Sequence, residues 1–168
     1  MQTIEAKTMK TELIPFESEH FHLLLKWIDS DALNYLWGGP QFKYPLTEKQ
    51  LHQHYSQQQA LPFLFVVQDK PVGFIELYKM SSSQYRICRV FIHPEHQAKG
   101  YSIIMLKLVM KMAINRYKLN VFTLSVFAHN KAAIACYKKL GFEQKELIKG
   151  SRFFNGQAWD LIKMVKNV

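Results

Sequence analysis

The segment Gln97-Ala98-Lys99-Gly100-Tyr101-Ser102 has residue types that suit an anion-binding turn. It follows an apolar run that ends at Ile92 and precedes a long apolar segment that begins at Ile103, which predicts a strand, a tight loop and a helix. Gly100 lets the backbone turn so that several amide groups point one way, and the start of the helix adds partial positive charge. A phosphate or pyrophosphate fits such a turn, although many similar turns bind nothing.

The elements that precede this segment are short helices and apolar strands. The predicted elements are a strand at 10–16, an amphipathic helix from Ser18, a structured loop at 29–46, a helix from Thr47 to about Gln59, and strands at 63–67, 72–80 and 85–92. The last three strands form an antiparallel meander, because a tight turn at Asp69-Lys70 joins the first pair and Pro94 ends the third strand.

The elements that follow the segment close the fold. They are a helix at 103–117, a strand at 121–127, a helix at 130–140 between Asn130 as N-cap and Gly141 as stop, and strands at 142–149 and 158–165 turned at Asn155-Gly156. The strand at 121–127 runs parallel to its predecessor, because strand-helix-strand crossovers are usually right-handed. The order predicts one domain, residues 1–168, with a mixed α/β (α+β) sheet and helices on both faces.

Composition and charge limit the class of protein. The 168 residues are 48% hydrophobic, which supports one full core. Residues 1–11 lack an apolar leader and Lys107 and Lys111 interrupt the longest apolar segment, so no signal peptide or membrane span is expected. Cys88 and Cys136 have no framework spacing, which predicts reduced thiols in the cytoplasm. The net charge of +9 favours anionic partners, but it is spread along the chain, so no stable nucleic-acid binding is expected.

Two segments resemble the signature of an enzyme family, and the distance between them in the sequence matches that family as well. They are Gln97-x-x-Gly100-x-Ser102, after Val90-Phe91-Ile92-His93-Pro94, and Asn130-x-x-Ala133-x-x-x-Tyr137-x-x-x-Gly141-Phe142. Together they look like the two signature segments of the GNAT acetyltransferases. The Trp37-Gly38-Gly39-Pro40 segment and the ending with Asn155-Gly156 and Trp159-Asp160 resemble the branch that contains ribosomal-protein N-terminal acetyltransferases.

The resemblance implies the GNAT fold, a mostly antiparallel sheet with one splayed parallel pair, and acetyl-CoA as cosubstrate. It assigns the pantetheine arm to Val90, Phe91 and Ile92, the pyrophosphate to Gln97, Ala98, Lys99, Gly100, Tyr101 and Ser102, and further cofactor contacts to Asn130, Ala133 and Tyr137. Ser102 departs from the family pattern, which has glycine or alanine there. Its side chain is small enough to keep the backbone near a phosphate, and its hydroxyl can donate a hydrogen bond.

Acetyl transfer to an amine needs a neutral nucleophile, a donor for the carbonyl oxygen and a proton for the leaving thiolate. Tyr137 matches the family's general-acid tyrosine, although its apolar neighbours also fit a core aromatic residue. A backbone N–H of the strand ending at Ile92 is the expected oxyanion donor. Glu76 is either the base for the amine or a solvated carboxylate on a strand face. An α-amine with a pKa of about 7.7 to 8.0 needs only a weak base.

The sequence specifies the binding site of the acceptor amine less closely than that of the cofactor. Trp37, Phe42 and Tyr44 either line an acceptor site or form a hydrophobic lid on the core. The expected acceptor is a small-molecule amine or a peptide or protein N-terminus, attacked directly in a ternary complex. The alternative is an acyl-CoA-binding or RNA-associated module without turnover. The chain is expected to be a monomer or homodimer.

Other reactive side chains give no further site. Cys136 has no histidine or acid spaced to activate it, which predicts a buried structural thiol. His52 and His54 face different sides of a helix, whereas His93 and His96 flank a proline. No complete ligand set is visible among them, so no metal is expected.

Overall fold

The structure is a computed structural model that describes residues 8–168. In chain order its elements are β1 (Thr11–Pro15), α1 (Phe21–Trp27), α2 (Asp31–Gly38), α3 (Glu48–Tyr55), β2 (Ala60–Val67), β3 (Lys70–Lys79), β4 (Gln84–Ile92), α4 (Tyr101–Tyr117), β5 (Val121–Phe127), α5 (Lys131–Lys139), β6 (Glu143–Phe154) and β7 (Gln157–Asn167). Residues 1–7, where part of the leader prediction falls, lie outside the described residues. None of the described helices is both long and apolar enough to cross a membrane.

The seven strands form one sheet in the order β1-β2-β3-β4-β5-β7-β6. Within residues 8–168, β4 and β5 are the one parallel pair, and the other neighbours are antiparallel. The predicted mixed fold is therefore confirmed. The parallel ladder joins residues 84–87 to residues 121–124 and then ends, so the later parts of β4 and β5 separate.

Helices cover both faces of the sheet. Alternate residues of a strand point to opposite sides, so the apolar side chains of each face pack on a different set of helices. On one face, Phe65 packs with Met105 of α4 and Ile134 of α5. On the other face, Phe74 packs with the helices α1 to α3, including Leu24. The central strands are buried on both sides, which fixes the position of their separated ends.

The N-terminal region contains a helix that the sequence does not predict. The expectation of a loop at 29–46 is wrong for residues 31–38, which form α2. The Ser30 hydroxyl starts this helix by accepting a hydrogen bond from the N–H of Leu33 at 3.1 Å. The paired glycines end the helix rather than prevent it, since Gly39 has a φ of +57°.

The next helix ends earlier than predicted. Thr47 caps α3 as expected, with its hydroxyl accepting from the N–H of Gln50 at 3.3 Å. The helix ends at Tyr55 rather than near Gln59, because Ala60 already belongs to β2. The end of α3 packs against the middle of the sheet, where the Tyr55 hydroxyl donates to Glu76 of β3 at 2.9 Å.

The β6–β7 hairpin is longer than predicted. It turns at Asn155-Gly156 as expected, and both residues have a positive φ, +48° and +73°. Near the tip, Phe154 and Trp159 pack on Tyr35 of α2, with ring centroids 5.0 and 5.2 Å apart. The hairpin therefore reaches across the separated strands to α2.

Candidate active site

A β-bulge lies beside the gap between β4 and β5. The register of β3 on β4 shifts between Phe74 and Glu76, which leaves an extra residue in β4. Arg89 lies in this interval with a φ of +52°. Because the ladder with β5 ends at Ile87, the following backbone of β4 has no strand partner on that side. Such an edge can pair with an extended, amide-bearing arm.

Two cavities meet at this gap. The larger cavity, of about 620 Å³, lies between the end of β4, the N-terminal part of α4, α5 and one side of α2. The smaller cavity, of about 300 Å³, lies between the end of α2, the strands β4 and β5, and the β6–β7 hairpin. The separation of two parallel strands thus produces a site with two compartments.

Nearly all the residues predicted to hold the cofactor line the larger cavity. They are Val90, Phe91, Ile92, Gln97, Ala98, Gly100, Tyr101, Ser102, Asn130, Ala133 and Tyr137. Lys99 is the exception, because its side chain is exposed and does not line the cavity. Two motifs that are separate in the sequence therefore share one compartment.

The turn before α4 has the geometry of an anion-binding cradle. Gly100 precedes the first turn of the helix with a φ of +76°, and a Cβ atom there would meet open space. The helix begins at Tyr101, two residues earlier than predicted, and its positive end lies at the cavity. The Gln97 side chain fixes the turn, because its Nε2 donates to the Ile92 carbonyl at 3.0 Å.

The smaller cavity has a positive lining. Its charged lining residues are Arg86, Arg89 and Arg152, and no aspartate or glutamate of the described chain lines it. Arg86 and Arg89 come from β4, whereas Arg152 comes from the β6–β7 hairpin. Cationic groups therefore converge on this cavity from two parts of the sheet.

Five residues line both cavities: Leu36, Trp37, Val90, Asn130 and Tyr137. Tyr137 is 7% exposed. Burial raises the pKa of its hydroxyl above the ordinary value, and the neighbouring thiols of Cys136 and Cys88 add to the shift. The hydroxyl therefore stays protonated over a wide pH range. Tyr137 therefore brings a protonated side chain to the wall that the two compartments share.

Asn130 combines two roles. Its side-chain oxygen accepts a hydrogen bond from the N–H of Ala133 at 3.3 Å, which confirms the predicted cap of α5. The residue also belongs to the shared wall. The cap therefore fixes the start of the helix that carries Tyr137.

Glu76 lies in neither cavity. Its Oε1 accepts from Arg89 Nη1 at 3.0 Å and lies 3.0 Å from His54 Nε2, and its Oε2 accepts from the Tyr55 hydroxyl at 2.9 Å. The alternative of a solvated carboxylate is wrong, because the side chain is completely buried among these partners. The packing gives the carboxylate no direct contact with an amine in the smaller cavity. What it does contact is Arg89, which it holds in place.

The three aromatic candidates of the acceptor side have different positions. Trp37 belongs to the shared wall, and its Nε1 donates to the Arg89 carbonyl at 3.1 Å. Phe42 stacks on Trp37 at 5.5 Å within the core and lies under the Arg89 guanidinium. Tyr44 is exposed and donates to the Asp29 carbonyl at 2.9 Å, away from both cavities. Of the three, only Trp37 lines a cavity.

The arginines of the smaller cavity are functional candidates that the sequence does not single out. On β4, Arg86 and Arg89 are separated by three positions, so strict alternation would place them on opposite faces. The bulge at Arg89 breaks this alternation. Arg152 lies in β6 beyond residue 149, where the predicted strand ends. The longer hairpin brings this residue to the cavity.

The remaining thiols and histidines have distinct surroundings. Burial raises the pKa of both cysteine thiols, Cys88 and Cys136, which disfavours the thiolate that a nucleophile needs. In the turn before α4, the ligand atoms of His93, Glu95 and His96 all lie within 4.8 Å of one another. Glu95 thus joins the two histidines that the sequence analysis names. The expectation of no metal stays a prediction.

The two signature segments fall within one recognised family region. Residues 21–142 match the acetyltransferase (GNAT) family. The chain belongs to the GNAT acetyltransferase family. This membership confirms the family, fold and enzyme class predicted from the two segments.

Relatives of this GNAT protein include acetyltransferases of known and unknown substrate. An uncharacterized N-acetyltransferase of Methanocaldococcus jannaschii is 33% identical over 94 residues, 52% of this chain but only 41% of the relative. The spermidine N(1)-acetyltransferase of Escherichia coli K12 is 26% identical over 156 residues, 91% of this chain and 83% of the relative. The predicted branch of ribosomal-protein N-terminal acetyltransferases is not supported by these similarities.

Solved structures share the fold of this GNAT protein. The spermidine N-acetyltransferase from Vibrio cholerae, in complex with CoA and spermine, superposes with a TM-score of 0.83 at 18% identity. The superposition covers 94% of this chain and 95% of that one. At this identity the likeness establishes the fold alone.

Proposed function

We propose that the protein transfers the acetyl group of acetyl-CoA to a small primary amine by direct attack in a ternary complex. The observation that carries this proposal is the shared wall, because Tyr137 lines both cavities at the point where they meet. Two substrates bound in adjacent compartments would have their reacting atoms side by side, which removes much of the entropic barrier to reaction.

The residues of the larger cavity fit acetyl-CoA. Gly100 leaves open space where a side chain would otherwise stand, next to the positive end of α4. Beyond Ile87, the free edge of β4 offers backbone groups to the amides of the pantetheine arm. Acetyl-CoA supplies an acetyl thioester at the end of this arm. The hydroxyl of Ser102 adds a donor at the pyrophosphate end.

Two groups of the chain assist the transfer. A backbone N–H near the bulge of β4 stabilises the negative charge that develops on the carbonyl oxygen. Tyr137 donates its proton to the departing sulfur, and its raised pKa keeps that proton in place until transfer. Both groups lie where the two cavities join.

Removal of the proton from the amine does not require Glu76. That carboxylate is buried in hydrogen bonds with Arg89, His54 and Tyr55. The arginines of the smaller cavity disfavour a nearby ammonium group and so lower the pKa of the bound amine. Water at the open cavity then accepts the proton. We assign Glu76 a positioning role through Arg89.

Release of free thiol tests the proposal. Purified protein should release CoA from acetyl-CoA only when an acceptor amine is present, and mass spectrometry should find the acetyl group on that amine. The name of the Escherichia coli relative makes spermidine the first acceptor to test. Binding of acetyl-CoA without thiol release, across polyamines, amino acids and N-terminal peptides, would refute the proposed function.

A further inference from the structure

We propose that the acceptor is a small primary amine that also carries an anionic group, a carboxylate or a phosphate. This inference rests on the proposed function, because it names the substrate class of the same smaller cavity. It also separates this protein from the polyamine acceptors that the names of its relatives suggest.

The lining of the smaller cavity carries uncompensated positive charge. It contains three arginines and, within residues 8–168, no acidic side chain. Arg89 is paired with Glu76 at 3.0 Å. Among the ion pairs of the described chain, none neutralises Arg86 or Arg152. An anionic substrate group would complete this charge balance.

Two of the arginines also have unused hydrogen-bond donors. The Nε atoms of Arg86 and Arg89 are buried and have no partner in the described part of the chain. A buried charged donor without a partner is unfavourable, and a carboxylate or phosphate oxygen is its strongest acceptor. Both residues line the same cavity, so an anion bound there would lie beside their positive charge.

The arginines are held in place rather than extended into solvent. The Nη1 of Arg152 donates to the carbonyl and to the hydroxyl of Ser151, at 2.9 and 3.1 Å. Its strand is anchored on α2 through the stacking of Phe154 on Tyr35. The Arg86 guanidinium lies 5.4 Å from the centre of the Tyr78 ring. Such preorganisation is typical of groups that recognise an anion.

The same charges oppose a polyamine. At neutral pH, spermidine carries an ammonium group at each nitrogen, and only the reacting nitrogen gains from deprotonation. The remaining ammonium groups would lie near arginines without a carboxylate to pair with. An acceptor with an anionic group avoids this repulsion and still benefits from the lowered pKa of its amine.

A matched series of amines tests the inference. The rates of thiol release are compared for propylamine, 1,3-diaminopropane, 3-aminopropanoate, 2-aminoethyl phosphate and spermidine. We expect kcat/KM for the carboxylate or the phosphate to exceed that of the diamine and of spermidine by at least about 10-fold. The two anionic compounds distinguish a carboxylate site from a phosphate site. Preference for spermidine or the diamine would overturn the inference while leaving the proposed function intact. No turnover with any of the five would remove the proposed function itself.

Charge reversal at one arginine gives an independent check. Arg152→Glu should lower kcat/KM for the anionic acceptor at least about 10-fold and raise kcat/KM for the diamine. Arg152→Gln should lower kcat/KM for the anionic acceptor without raising it for the diamine. The dissociation constant of acetyl-CoA should stay within about 2-fold, since Arg152 does not line the larger cavity. Lys145→Glu makes the same charge change at an exposed position of β6 and should leave the acceptor order unchanged. If Arg152→Glu weakens acetyl-CoA binding and leaves the acceptor order as it was, the inference is wrong.

Discussion

The two compartments of the site differ in how the chain builds them. The larger cavity takes most of its lining from two continuous segments, the end of β4 with the turn and first residues of α4, and residues 130–137 along α5. The smaller cavity combines residues from α2, β4, β5 and the β6–β7 hairpin, which are far apart in the sequence. Local backbone geometry creates the first compartment, whereas tertiary packing creates the second.

Under the proposed function, this difference determines what each compartment would recognise. A cradle of backbone groups at a helix start binds phosphate, whichever polar side chains surround it. The smaller cavity depends instead on individual side chains, and its arginines are oriented by Glu76, Ser151 and the aromatic contacts of the hairpin. A change of acceptor therefore requires few substitutions, while the larger cavity can remain the same.

The largest effect is expected from Glu76→Gln, which tests whether the smaller cavity depends on the buried network. The change leaves Arg89 without its carboxylate and should lower the free energy of unfolding by about 3 kcal/mol. Denaturant unfolding measures this loss. In the folded variant, the KM for the amine should rise while acetyl-CoA binding is unchanged.

The matched control for this variant is Glu143→Gln, which removes an exposed carboxylate paired with Lys145 at 3.6 Å. Its effect on the free energy of unfolding should stay below about 0.5 kcal/mol. Equal stability of the two variants would contradict the structural importance of the Glu76 network.

Tyr137→Phe tests the wall that joins the compartments. Loss of the hydroxyl should reduce kcat about 100-fold, because the departing sulfur loses its proton donor. The dissociation constant of acetyl-CoA should not change, since the ring that packs in the core is retained. Steady-state kinetics and calorimetry measure the two quantities.

Tyr85→Phe is the control for this loss, because Tyr85 is a buried tyrosine that lines neither cavity.

The pH profile of kcat gives a second check on Tyr137. Burial raises the pKa of Tyr137, so the hydroxyl is still protonated near pH 10, where an exposed tyrosine is half ionised. A fall in kcat centred on pH 10 that disappears in Tyr137→Phe would contradict the assigned environment.

Gly100→Asp tests the larger cavity alone. Aspartate tolerates the φ of +76° better than most residues, but its charge would face the bound phosphate. We expect acetyl-CoA affinity to fall at least about 10-fold, with the KM of the amine unchanged. Gly100→Asn has nearly the same shape without the charge and should show the smaller loss. Equal affinities in the two variants would argue against an anion at this turn.

The smallest effect is expected from Lys99→Gln. The sequence predicts a phosphate contact for Lys99, but the side chain is exposed and lies outside the larger cavity. Acetyl-CoA affinity should therefore change by no more than about 3-fold, as for a surface charge. If calorimetry shows that acetyl-CoA affinity falls 10-fold or more, Lys99 contributes to the binding site.

Sequence reasoning recovers the compartment that local patterns specify. The periodicity of β3, β4 and β5, the glycine at Gly100 and the cap at Asn130 are local signals, and the structure contains the corresponding elements. The resemblance of the two motifs to the GNAT signature placed Tyr137 in one site with the turn before α4, and both line the larger cavity. The strands and helices β4, α4 and α5 of the larger cavity could therefore be predicted without tertiary contacts, whereas α2, which also lines it, could not.

The other compartment could not be predicted in the same way. The helix α2 was missed because Gly38 and Gly39 suggest a loop, although Gly38 is buried against the Phe42 ring. The bulge at Arg89 has no sequence signal, and it changes the direction in which a β4 side chain points. Arg152 belongs to the cavity only through hairpin length. Each failure concerns packing between distant segments.

Initial rates over a matrix of acetyl-CoA and amine concentrations test the central claim most directly. If the two cavities hold both substrates at once beside Tyr137, the double-reciprocal lines intersect. The best acceptor of the matched series should be used, so that each KM is defined. Parallel lines, together with an acetyl group on Cys136 or another residue of the protein, would contradict direct transfer in a ternary complex.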